Sequence, residues 1–190
     1  MALHGISSGW RAFGLALALI ACAGGSLGCT VHRRSHFAVR RTEGQEHADA
    51  CAADVRACRE RCESGDAATC NLLGVQLELG THGGARPHAA ALVSERGCAG
   101  DYAPSCTNLA WLVLRGNGVP ADPPLALVLF QRAYDGYSRS CAAGSGSACL
   151  SAVDTMDLLE PREDEDAVVV ALLERGCALG EARACASLAP

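Results

Sequence analysis

A pair of cysteines with seven residues between them occurs four times in this chain: Cys62 and Cys70, Cys98 and Cys106, Cys141 and Cys149, Cys177 and Cys185. The first members lie 36, 43 and 36 residues apart, and the second members keep the same steps. The chain therefore repeats every 36 residues and carries seven extra residues once. A period in this range marks a stack of supersecondary units, each burying its apolar face on the next. Any fold must give the four pairs four equivalent places.

Neighbouring residues keep step with the cysteines. "ERGCAG" (Glu95 to Gly100) returns as "ERGCALG" (Glu174 to Gly180), with "RERCESG" (Arg59 to Gly65) as a looser copy. Three residues past each second cysteine stands Leu73, Leu109, Ala152 or Leu188. Four past stands a small or short residue, Gly74, Ala110, Val153 or Ala189, and seven past stands Leu77, Val113 or Met156. These offsets are the i, i+3, i+4, i+7 stripe of an amphipathic helix, here helix A of the unit. A turn follows, clearest at "RGNGVPAD" (Arg115 to Asp122), and an apolar helix B then runs to the next cysteine. Pro87, Pro123 and Pro124 fall in the first turns of the B helices, where a missing N–H costs nothing. Composition agrees: 49% of residues are apolar but only 4% aromatic, which favours helices over a β-sandwich.

The cysteine pair falls where helix B ends and the next helix A begins. Eight residues along one straight helix would part the Cα atoms by about 12 Å, beyond disulfide reach. The pair can bond only if the chain reverses between its members. Gly65, Gly144 and Gly180, each three residues past a first cysteine, suit a left-handed helix C-terminus, and Asp66 and Asp101 can cap the following helix. A bridge there would staple one unit to the next. The seven extra residues precede Cys141, since the strict register puts Tyr134 where a cysteine is due. They either lengthen helix B by almost two turns or, because Asp135-Gly136 reads as a break, form an inserted loop.

The period, the C-x7-C pairs, the leucine-small pair after the second cysteine and "G-x-G-V-x-x-D" at Gly116 to Asp122 together resemble the Sel1-like repeat family, in particular its cysteine-rich, secreted Hcp-type branch. The resemblance covers about residues 51–190. It implies an all-α chain, an α/α solenoid of TPR-like helix pairs with one disulfide per repeat: Cys62 with Cys70, Cys98 with Cys106, Cys141 with Cys149 and Cys177 with Cys185. The chain departs from the family where "THGGARPH" and "EPREDED" replace the G-x-G-V turn. On this reading residues 47–190 form the solenoid, with units at about 62–97, 98–140 and 141–176 and a partial unit at 177–190. Cys51 and Cys58 have no obvious partners, and can bridge each other only if their segment bends.

The N-terminal region reads as an export signal. Residues 12–21, "AFGLALALIA", have the length of a signal-peptide core rather than a membrane span. "LIAC" ending at Cys22 and "SLGC" ending at Cys29 each resemble a bacterial lipobox, so the lipidated residue is Cys22 or Cys29. The signal peptide is then 1–28, or 1–21 if Cys22 is lipidated, and 29–46 form a flexible basic tether with Arg33, Arg34, Arg40 and Arg41. Arg33 and Arg34 lie on the unfavourable side for the export charge bias. The expected location is periplasm or outer membrane, lipid-anchored, or alternatively secreted.

The residues offer no chemistry beyond this. C-x7-C is wrong for zinc, and Cys58, Cys62 and His47 make at most half a metal site. His4, His32, His36, His47, His82 and His88 form no ligand motif. The run Glu163-Asp164-Glu165-Asp166 lacks the glycine and alternation of a calcium loop and reads as a solvated helix start. Gly24 to Gly28 matches G-x-S-x-G but lies in the export signal. Trp111, Tyr134 and Tyr137 read as packing residues before binding anchors. Hcp-type proteins are associated with β-lactam binding and β-lactamase activity. All sixteen basic residues are arginine, however, so the S-x-x-K and K-T-G motifs of serine β-lactamases are impossible. The net charge of -5, with acids in excess after Glu46, speaks against nucleic acid. The expectation is a monomeric, non-enzymatic scaffold without metal or cofactor that binds a protein or peptide and reaches the membrane through its lipid. A β-lactam-binding envelope protein and an intracellular scaffold with free thiols are the alternatives.

Overall fold

The computed structural model describes residues 51, 54–81, 83–159 and 165–189. The signal, the lipobox cysteines, the tether, His47, His82 and Glu163-Asp164 lie outside them. Among the described residues there are eight helices and no strand. They are α1 (Val55–Glu63), α2 (Ala67–Leu79), α3 (Pro87–Ala99), α4 (Ala103–Arg115), α5 (Pro123–Ala142), α6 (Gly146–Met156), α7 (Glu165–Ala178) and α8 (Ala182–Ser187). Each packs on the next, and α2 also touches α4, α1 touches α3, and α5 touches α7. This is an α/α solenoid in which α2, α4, α6 and α8 are the A helices and α1, α3, α5 and α7 the B helices.

Several helices begin or end where the sequence offers a partner for the free backbone groups. Asp54, Asp66, Asp122 and Ser145 accept hydrogen bonds from the first-turn amides of α1, α2, α5 and α6. Gly80 and Gly116 close α2 and α4 in the left-handed conformation. These two glycines are one period apart, and so are the bonds that follow them. The Arg86 amide donates to the Leu77 carbonyl at 2.8 Å, and the Asp122 amide to the Val113 carbonyl at 3.1 Å. "THGGARPH" thus makes the same return as the family-like turn after α4, with other residues.

The four joints are one structure built four times. At each, the third residue past the first cysteine has positive φ: Gly65, Asp101, Gly144 and Gly180. Its amide donates back to the carbonyl of that cysteine, and the next amide donates to the residue before the cysteine. At the first joint these are Gly65 to Cys62 and Asp66 to Arg61, and at the last Gly180 to Cys177 and Glu181 to Gly176, all at 2.9–3.1 Å. The paired bonds form a left-handed helix stop. Asp101 is therefore not a helix cap. It holds the position glycine holds elsewhere, with φ 59°, and its carboxylate receives Arg132 Nη2 at 2.8 Å. The cap position of α4 goes to Tyr102, which makes no side-chain cap.

The seven extra residues lengthen a helix. α5 runs for 20 residues without interruption, and Asp135-Gly136 lies inside it. Gly136 is where α5 presses on the start of α4, since a Cβ there would stand 2.9 Å from that of Ala103. Asp135 faces outward and accepts a hydrogen bond from Gln131 at 2.9 Å. The dipeptide that looks like a turn serves helix packing instead.

The core is uneven along the stack. One continuous cluster runs from Cys51 through Leu73, Leu77, Leu109, Leu112 and Val113 to Phe130 and Ala133, across α1 to α5. Beyond it lie two smaller clusters, Cys141 with Ala148 and Cys149, and Leu150 with Leu173 and Ala184, and Ala152 and Met156 of α6 are buried as well.

Candidate interaction groove

The residues most constrained by the sequence are brought together as five disulfides. Cys62–Cys70, Cys98–Cys106, Cys141–Cys149 and Cys177–Cys185 have Cα separations of 4.6, 4.5, 4.6 and 4.6 Å. The fifth joins Cys51 to Cys58 at 4.9 Å. Its chain does bend: Asp54 is extended, at φ -142° and ψ 95°, and α1 starts at the next residue. All ten described cysteines are thus oxidised, so Cys58 and Cys62 cannot be thiolate ligands. Among the described residues no three His, Cys, Asp or Glu side chains gather to hold a metal. Glu165 and Asp166 stand in the first turn of α7.

The polar residues of the A helices form cross-helix ties rather than reactive pairs. Asn108 Nδ2 on α4 donates to Asn71 Oδ1 on α2 at 2.8 Å. The Thr107 hydroxyl lies 3.4 Å from that of Tyr137. Burial pushes the Tyr137 hydroxyl above the usual phenol range, opposed by the Thr107 contact. Trp111 is half-buried, edge-on to Phe130 at 5.1 Å between ring centres, with the Arg115 guanidinium 4.7 Å from its ring centroid. Trp111 and Tyr137 both pack against the large core cluster.

Among the described residues one open surface feature is a groove of about 220 Å³ where α1 and α3 meet over α2. Leu73 and Leu77 of α2, both buried, form its floor. Val93 and Leu92 of α3 line one side, and Leu92 is 54% exposed. The rims carry Arg59 and Glu63 on α1 and Arg96 on α3. These residues come from three helices and are spread over nearly forty positions, so no sequence motif marks the groove. The signal that could have been read is an exposed leucine on a B helix four residues before an arginine.

Compared with known proteins, the chain matches no protein-family model and no curated protein. Among solved structures it is similar to the crystal structure of a Sel1 repeat protein from Oxalobacter formigenes, at 19% identity with a TM-score of 0.40. The alignment covers 66% of this chain and 63% of that one, less than two thirds of the latter's length.

Proposed function

We propose that this chain is a non-enzymatic protein-interaction scaffold of the Sel1-like, Hcp-type kind, exported as a monomer and held at a bacterial envelope by a lipid on Cys22 or Cys29. The observation that carries the reading is the joint. Five disulfides in one chain of this size are the habit of an oxidising compartment. They spend all the described thiols on geometry, and what they hold in place is a helical surface with an open apolar groove. Stacked repeats present such surfaces to protein partners. No helix among the described residues is long and apolar enough to cross a membrane.

Two experiments test it. Non-reducing peptide mapping of the protein from its native source should return the five bridges; free thiols at Cys62, Cys98, Cys141 and Cys177 would remove export. Photo-crosslinkers placed along the helices should then map an identified protein partner to one face. Turnover of a chromogenic β-lactam by the oxidised chain, abolished by one point mutation, would make it an enzyme instead. Membrane release by Cys22→Ala or by Cys29→Ala decides the lipidated residue.

A further inference from the structure

We propose that the groove over α2 takes a short apolar peptide segment flanked by carboxylates. This deepens the scaffold reading and rests on it. The groove offers room for one or two aliphatic side chains against Leu73, Leu77 and Val93. Removing an aliphatic side chain from water there favours binding, and Leu92 stands half out of the protein.

The rims decide the sign of the partner. Arg59 and Arg96 stand on opposite sides, and neither guanidinium makes an ion pair or hydrogen bond among the described residues. Arg61 takes Asp66, Arg132 takes Asp101, and Arg175 donates to the Cys141 and Ala142 carbonyls, so the rim arginines belong to the set that keeps its guanidinium for solvent or a partner. Glu63 is the one carboxylate on the rim and is also unpaired, which leaves an excess of one positive charge. In a chain of net charge -5, that excess sits beside the exposed leucine. Guanidinium forks favour planar carboxylates. An apolar segment with an acid on each side satisfies both rims at once, and a basic one meets two like charges.

Fluorescence anisotropy on the oxidised full chain tests this with four labelled nine-residue peptides. Three carry a Leu-Leu core flanked by Glu, by Gln or by Arg, and the fourth a Ser-Ser core flanked by Glu. The Glu-flanked Leu-Leu peptide should bind at least tenfold tighter than the Arg-flanked and Ser-Ser peptides, and weaken as salt rises. Leu92→Asp should cost at least tenfold, Arg96→Glu should reverse the charge preference, and Glu63→Gln should tighten the Glu-flanked peptide two- to fivefold. All three side chains are exposed, and disulfide mapping verifies that each variant folds. Equal binding of all flanks, preference for Arg, or affinity that survives Leu92→Asp would overturn the proposal. If the peptides fail while a crosslinked partner maps to other helices, the groove assignment falls and the scaffold stands. Failure of the scaffold itself reads differently, as β-lactam turnover or as no partner on any helix.

Discussion

The joint between α3 and α4 and the joint between α7 and α8 have the same backbone bonds, the same positive-φ corner and the same staple. They differ in what surrounds them. Cys98 and Cys106 are 2% and 1% exposed and belong to the large core, whereas Cys177 and Cys185 are half-buried beside Leu173 and Ala184. Local sequence therefore sets the shape of a joint, and the stack sets its protection. The corner is a matter of nine residues, while burial depends also on helices two elements away.

The widest gap between the two joints is expected in reduction. A dilute thiol should open Cys177–Cys185 at least tenfold faster than Cys98–Cys106, because attack needs access to sulfur. Timed alkylation followed by peptide mapping reads both rates; equal rates would mean that burial does not separate them. Removing the bridges comes next. Cys98→Ala with Cys106→Ala should cost about 3–4 kcal/mol in urea unfolding, from lost loop closure plus a core cavity. The same change at Cys177 and Cys185 should cost about 2 kcal/mol.

The glycine before the first cysteine of these two joints, Gly97 or Gly176, sharpens the contrast further. A Cβ on Gly97 would collide with the Ser105 side chain and stand 3.1 Å from the Ala67 carbonyl, so Gly97→Ala should cost about 2–3 kcal/mol. On Gly176 it would meet the Cβ atoms of Ala184 and Cys149 at 3.0 and 3.2 Å, tight contacts in a thinner region, and Gly176→Ala should cost about 1 kcal/mol. Thermal melts of the two variants rank them. The smallest effect expected is acid sensitivity at the first joint, where Asp66 caps α2. Burial raises its pKa, but the Thr69 hydroxyl and amide and the Arg61 guanidinium outweigh burial and hold it below the usual 3.8. Its contribution is complete above that unfolded value and is lost as pH falls through the lower folded one. Asp66→Asn keeps a side-chain cap but loses the charge, so it should lose only about 0.5 kcal/mol at pH 6 and approach the parent well below pH 3.8, as read by urea midpoints across that range.

What could be read in advance was what recurs. The helix pairs, the corners and the staples follow from period and spacing, because each is settled within a few residues of a cysteine. Residue type misleads where register or packing decides. Asp101 looked like a cap by residue type, yet its place in the register is the glycine place, and register wins because the backbone bonds are fixed by position. Asp135-Gly136 left a loop open beside the longer helix, and the longer helix stands because Gly136 answers to Ala103 on another helix. The bend that joins Cys51 to Cys58 was written in Asp54, a helix cap between them that composition alone did not single out. The groove was illegible because Arg59, Leu92 and Arg96 become neighbours only after three helices pack.

The long α5 also says which insertions such a gene can accept. Seven residues turn a helix through almost two full revolutions, leaving the next cysteine about 20° from its former bearing. An insertion of one or two codons in the same place would swing Cys141 by about 100° or 200° and strand it away from Cys149. Length changes in the B helices should thus favour about 7, 11 or 18 residues, each close to a whole number of turns, over one or two.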